Sequence, residues 1–186
     1  MTELSDCDLL LRFQEGDPDA FAELVRRWEH SLLKVAARIT GDADEAEEVR
    51  QIVLLRLARS PHSIRNPERI AAWLRRAVVH EAIASVRKRT RRRRLQAWLR
   101  LRVSDIDEKA DPPDRILDRS DEAARLKAVL AGLSPEDRAL LSLRFDEDLS
   151  FAEISAVLGV PASTLKSRMK PLLARVRSLL GEPAHD

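Results

Sequence analysis

Residues 150–176, SFAEISAVLGVPASTLKSRMKPLLARV, constrain the fold more than any other stretch, because two short helical patterns meet at Gly159-Val160-Pro161 with a serine opening each. Ser150 can cap the first helix, with Glu153 completing a capping box, while Ile154, Val157 and Leu158 recur on one face at helical spacing. The turn delivers the chain into a second helix starting near Ser163, whose apolar stripe is Leu165, Met169, Leu172 and Val176. That stripe turns Ser163, Thr164, Lys166, Ser167, Arg168 and Lys170 outward near the helix start, and such side chains bind phosphates and base edges. The pattern is a helix-turn-helix. The plainer alternative, an ordinary helical hairpin with a solvated charged face, stays open on this stretch alone.

Composition extends the helical reading to the whole chain. Of 186 residues 44% are hydrophobic, enough for real cores, while aromatics make up 4%, tyrosine is absent and there are only 5 glycines. Abundant Ala, Leu, Glu and Arg favour helices, and few alternating stretches offer strands. Cys7 is the single cysteine, so no internal disulfide forms, and nothing beside it supplies a zinc site; it reads as a small core or surface residue. The N-terminal stretch has no basic leader, and its apolar run of residues 9–11 is far too short for a signal or a membrane span. A cytoplasmic protein without membrane insertion is expected.

The net charge of +2 conceals segregation. Residues 87–102 hold nine basic side chains and no acidic one, whereas residues 105–122 hold eight acidic and three basic. Blocks of this kind imply separate partners, and the basic one is an electrostatic footprint for nucleic acid.

Four helices are expected in the first part of the chain. The first follows Ser5 or Asp6 and ends by Gly16. Asp17-Pro18 opens the second, in which Phe21, Leu24, Val25, Trp28, Leu32, Val35 and Ile39 follow one face until Gly41. The third covers about 43–58, with Asp44, Glu45, Glu47 and Glu48 suiting the positive end of its dipole, and Ser60-Pro61 stops it. Asn66-Pro67 caps the fourth, carrying Ile70, Trp73, Leu74, Ala77, Val78 and Ile83 into the basic run. From about Thr90 to Pro113 the pattern loosens, which reads as a tether. A second bundle is expected from about Asp114, continuing through Leu126, Val129 and Leu130 and restarting at Ser134-Pro135.

Several words in this order resemble the extracytoplasmic-function (ECF) sigma factors of bacterial RNA polymerase. Ala46-Glu47-Glu48-Val49-Arg50-Gln51 with Leu54, Leu55, Arg56 and Leu57 is similar to the family's polymerase-clamp-binding helix. Ala72-Trp73-Leu74-Arg75-Arg76-Ala77 through Val86-Arg87-Lys88-Arg89 resembles the helix that engages and melts the minus-ten element. Leu133-Ser134-Pro135-Glu136-Asp137-Arg138, Leu143-Arg144, residues 149–154 and residues 163–168 resemble the minus-thirty-five reader. The likeness spans roughly residues 5–180. It departs from the family at His80 and Ser85, where Asn and Asp are frequent, and at Pro171, where a basic residue is common; a proline there predicts a kink or early break.

The resemblance implies an all-α fold of two small helical bundles joined by a flexible charged linker, the second of the helix-turn-helix, winged-helix-like sigma region 4 type. It implies a region 2-like domain over 1–94, a linker over 95–113 and a region 4-like domain over 114–186. Glu47, Glu48, Gln51, Leu54, Leu55 and Arg56 would bind core polymerase; the alternative for them is a solvated helix face. Arg76, His80, Arg87, Lys88 and Arg89 would face minus-ten DNA, and Ser163, Thr164, Lys166, Ser167, Arg168 and Lys170 minus-thirty-five DNA. Trp73 reads as core rather than as a base-stacking platform, His80 as a packed or hydrogen-bonded helix residue, and 91–94 equally as a DNA contact or a solvated run. The acidic tether over 105–118 is either a segment threading into the polymerase or a plain spacer. Core RNA polymerase, promoter DNA and an anti-sigma factor are the implied partners, with no cofactor, metal, catalytic residue or small-molecule substrate and with regulation from outside the chain. A stand-alone helix-turn-helix regulator is the alternative. An enzyme finds no support in the four scattered histidines or in any phosphate-binding glycine loop.

Overall fold

The computed structural model describes residues 4–103 and 128–180, and no β-strand occurs among them. Helices α1 (Asp6–Gln14), α2 (Pro18–Thr40), α3 (Ala43–Arg59) and α4 (Ile70–Val103) make the N-terminal bundle, with single 3-10 turns at Pro61–Ser63 and Pro67–Arg69 before α4. The C-terminal bundle has a helical turn at 128–131, then α5 (Pro135–Leu141), a π-helical turn (Ser142–Asp146), α6 (Phe151–Leu158) and α7 (Ala162–Leu180).

Side-chain caps set most of these boundaries. Ser5 and Asp8 form a capping box at α1, Asp17 accepts from the Asp19 and Ala20 amides ahead of Pro18 in α2, and Asp42 accepts from the Glu45 amide at α3. Ser134 receives the Asp137 amide at α5, and Ser150 and Glu153 close the expected box at α6. Each such cap contributes on the order of 1 kcal/mol. Gly41 and Gly159 end α2 and α6 in the left-handed conformation, at φ 70° and 69°. Asn66 caps the 3-10 turn before α4 rather than α4 itself.

Two expectations are corrected. The loosening expected from Thr90 does not occur: α4 runs unbroken to Val103 and absorbs the start of the expected linker. No glycine or proline interrupts 90–103, and Arg, Leu, Gln and Ala are all strong helix formers, so propensity sustains the helix without an apolar stripe. The remainder of the linker, including the acidic tether over 105–118, lies outside the described residues. The early break at Pro171 does not occur either, since α7 continues to Leu180. Pro171 lies on the exposed face, so the carbonyl it leaves without a donor is on the water side, while buried Leu165, Met169 and Leu172 hold the opposite face on both sides of it.

The two bundles pack directly on each other. Leu24, Trp28, Leu32 and Leu74 belong to one contiguous apolar cluster with Leu140, Leu143, Ile154 and Leu165. α2 contacts α5 and the π turn, and α4 contacts α5 and α6. Arg138 is buried at this junction, 6% exposed, and its Nε has no hydrogen-bond partner among the described residues. Burial, reinforced by the Arg89 charge, lowers its pKa from the ordinary arginine value.

Two substitutions check this account. Pro171→Ala restores the missing donor and is expected to raise the unfolding free energy in urea by about 1–3 kcal/mol; an unchanged value would mean the proline costs nothing here. Gly41→Ala and Gly159→Ala each force alanine into the left-handed region, at about 1–2 kcal/mol. The Gly41 loss should be the larger, because an added Cβ would stand 3.2 Å from Arg138 Nη1, whereas at Gly159 it meets nothing within 4 Å.

Candidate functional site

Three helices carry the expected functional residues, and each buries the face opposite to them. In α3, Ala46, Val49, Val53 and Leu57 are buried. Glu48, Gln51, Leu55 and Arg56 are exposed on the other side, with Leu55 52% exposed despite its apolar side chain. Glu47 is half-buried and held by the Arg50 guanidinium, whose Nε donates at 3.0 Å and whose Nη2 makes a second, closer contact, while Gln51 Nε2 donates at 3.1 Å. These donors, Arg50 first, keep the Glu47 carboxyl below the usual glutamate range. Arg56 pairs with Glu81 of α4 at 2.7 Å. Leu54 differs from the other five, because it packs against the apolar core. The outer face of α3 therefore presents carboxylates at one end and an unsupported leucine with an arginine at the other, a surface suited to a protein partner.

In α4, Leu74, Val78, Ala82 and Val86 are buried, leaving Arg76, His80, Arg87 and Lys88 exposed. Trp73 is half-buried against the core, as its spacing predicts, and His80 is exposed instead of packed. Arg89 is committed to the fold: it donates to the Thr40 carbonyl at 2.9 Å and pairs with Glu45 at 2.9 Å, tying α4 to the end of α2 and the start of α3. Ser85 supports the same carboxylate at 3.4 Å. Residues 91–94 are all exposed. Lys88 and Arg92 line a groove of about 370 Å³ opposite Glu45, Glu48 and Glu81.

In α7, Leu165 and Met169 are buried, and Ser163, Thr164, Lys166, Ser167, Arg168 and Lys170 are all exposed. Ser167 Oγ donates to the Thr164 carbonyl at 2.9 Å, and Arg168 Nε donates to Asp137 at 2.8 Å. Lys166 and Lys170 show no hydrogen bond or ion pair among the described residues, so they are available to an external anion.

The structure also brings two of these faces together. His80 and Arg87 of α4 line one cavity of about 330 Å³ with Leu158, Leu165 and Arg168 of the helix-turn-helix. Arg87 pairs with Glu136 at 2.8 Å. Sequence reasoning missed the polar residues that join the bundles: Ser31, Arg75 and Glu147, and Lys34, Arg38 and Asp146. Their separations in the chain, 72 residues for Arg75 and Glu147 and 116 for Ser31 and Glu147, leave no local pattern to find.

Residues 24–92, which include α3 and most of α4's face, match a family model described as Sigma-70 region 2, and residues 129–178 match one described as Sigma-70, region 4. The chain is 31% identical over 169 residues to the RNA polymerase sigma-E factor of Streptomyces avermitilis, covering 89% of this chain and 87% of that one. It is 29% identical over 179 residues to the ECF RNA polymerase sigma factor SigM of Mycobacterium tuberculosis, covering 96% and 86% respectively. The solved structure of the sigma factor RpoE in complex with the anti-sigma factor NepR from Bartonella quintana has the same fold, with a TM-score of 0.64 at 24% identity over 87% of this chain and 96% of that one. Two sigma regions in order, on helices whose outer faces carry the expected side chains, place the chain in the ECF family of RNA polymerase sigma factors.

Proposed function

We propose that this sigma factor divides its work among the three helical faces. It binds core RNA polymerase and directs promoter-specific initiation. The outer face of α3, with Glu47, Glu48, Gln51, Leu55 and Arg56, docks on the polymerase; charges fix register and Leu55 supplies buried area, while Leu54 supports the helix from beneath. Arg76, His80, Arg87 and Lys88 of α4 engage the minus-ten element, where melting needs neutralised phosphates and unpaired bases held outside the stack. Arg89 contributes by holding α4 in place. Ser163, Thr164, Lys166, Ser167, Arg168 and Lys170 of α7 read the minus-thirty-five element as a recognition helix does, from its N-terminal turns.

The observation that carries this reading is that each set of side chains lies on the solvent face of a helix whose other face is locked into the core. A stand-alone regulator would leave the α3 face without a use. The domains extend over 1–94 and 114–186 in this reading, with α4 reaching into the connection between them. The protein acts as a regulatory subunit, not an enzyme, in the cytoplasm where the polymerase works, and an anti-sigma factor is its further partner. No described helix is long and apolar enough to cross a membrane.

Run-off transcription with core polymerase on a promoter library tests the whole assignment. Start sites that depend on the protein should appear and fall at least about tenfold with E47K/E48K, a loss of about 1.4 kcal/mol in polymerase binding; transcripts unaffected by the double reversal would remove α3 from the interface. Lys166→Ala with Lys170→Ala should lower the slope of log K against log salt for holoenzyme on promoter duplex by about 2, roughly 0.9 per lost phosphate contact. An unchanged slope would place those lysines off the DNA.

A further inference from the structure

Past its junction with the bundles, α4 continues as a bare helix. Val86 is its last buried residue among those described, and Arg89, donating to the Thr40 carbonyl, is half-buried; every residue from Thr90 to Leu99 is exposed. At 1.5 Å per residue that is roughly 15 Å of helix that no described element covers. A polar sequence would suit such a segment, yet this one carries Leu95 at 56%, Trp98 at 48% and Leu99 at 47% exposure. Spacings of three and four put these side chains on one face, within about 100° of arc. Arg91, Arg92, Arg93 and Arg94 form the turn immediately before them, all exposed, and residues 87–102 hold nine basic side chains and no acidic one.

An occupant of this face has to be anionic and apolar at once. Nucleic acid offers phosphates to the arginines but little apolar surface to two leucines. A second copy of the chain would bring nine more positive charges to the same place. The surface of an anionic bilayer meets both demands: its headgroups attract clustered Arg and Lys, its acyl boundary takes Leu side chains, and Trp favours the interface between the two. The geometry suits a plane as well, because the apolar side chains stand on an open helix. The arginine stems one turn away are long enough to keep the guanidinium groups among headgroups while Leu95 lies deeper. No described helix is long and apolar enough to cross a membrane, so the contact is peripheral.

We infer that residues 91–99 of α4 form a peripheral docking surface for anionic lipid, with Leu95, Trp98 and Leu99 facing the acyl boundary and Arg91 to Arg94 the headgroups. Three apolar side chains beside a basic cluster give reversible adsorption and not a permanent anchor. The free sigma factor thus exchanges between solution and a leaflet rich in anionic phospholipid. Leu95, Trp98 and Leu99 belong to none of the three faces assigned above, so the inference goes beyond that assignment and stands without it.

The test uses the full chain in four forms: wild type, L95S/W98S/L99S, W98F and L179S. The triple variant removes the apolar face and keeps every charge, and L179S makes the same kind of change at a leucine 51% exposed on α7. Circular dichroism confirms that each form is folded. Sedimentation with vesicles of phosphatidylcholine, alone or with phosphatidylglycerol, should show wild type at least about tenfold tighter on the anionic vesicles. On those vesicles the triple variant should weaken about tenfold or more, against at most about twofold for L179S. Bromine-labelled acyl chains should quench wild-type tryptophan emission, and W98F should still bind but lose most of that quenching. Equal binding to neutral and anionic vesicles, a triple variant that binds like wild type, or quenching unchanged in W98F would each overturn the inference. A triple variant that loses duplex DNA binding as strongly as vesicle binding would assign the face to nucleic acid instead, and no binding to anionic vesicles at all would leave it to an acidic protein. Run-off transcription reports on the promoter-reader assignment separately, since its failure in every form leaves the vesicle series unaffected.

Discussion

Trp28 of α2 is the residue on which both halves of the structure turn. Its indole Nε1 donates to Asp6 at 2.8 Å, which fixes α1. Its ring carries the Arg75 guanidinium, which fixes α4 and in turn reaches Glu147 of the C-terminal bundle at 3.0 Å. Its body sits in the same apolar cluster as Leu24 and Leu32. One helix therefore serves two interfaces with two different strips. Ala20, Leu24, Trp28, Leu32, Val35, Ala36 and Ile39 build the N-terminal core, while Ser31, Lys34 and Arg38, spaced three and four residues apart, form a polar edge facing the π turn. A π turn offsets the side chains that follow it from ordinary helical register. Here Asp146 ends that turn and Glu147 follows it, while Phe145 is left 62% exposed.

What was legible in the sequence is what local chemistry decides. Ser5, Asp17, Ser134 and Ser150 cap helices because a short oxygen-bearing side chain before a helical run satisfies amides that have no other partner. The apolar faces of α2, α6 and α7 were legible for the same reason: each period has one solution. Legibility failed where absence of a stripe was taken for absence of a helix. Residues 90–99 are all exposed, but an amphipathic pattern reports burial, not helicity, and an arginine-rich stretch can remain helical while solvated. Pro171 shows the converse: a local penalty was read correctly as a cost and wrongly as a break, because packing on either side of it outweighs one missing donor.

The candidate interfaces were legible only as lists of types. Spacing put Leu54 and Leu55 together, but neighbouring helix positions are about 100° apart, and only Leu55 faces outward while Leu54 joins the core. Charge likewise could not separate Lys88 from Arg89. The first is exposed, and the second is consumed by the Thr40 carbonyl and Glu45. A basic run thus contains both exposed and structural cations, and their partners, not their sequence, distinguish them.

The contact between the two bundles is part apolar and part ionic. An interface closed only by apolar surface opens at the full cost of exposing it. Here part of the closure comes from ion pairs, whose net contribution is small because desolvation offsets most of the attraction. Glu136 holds Arg87 across the two bundles by a charge-assisted bond, while Asp137 holds Arg168 within the C-terminal bundle. Glu147 is a second link across the bundles, accepting from Arg75 of α4 and Ser31 of α2 with its side chain only 9% exposed. Salt therefore screens the Arg75–Glu147 pair less than the Arg87–Glu136 pair, whose arginine is 71% exposed.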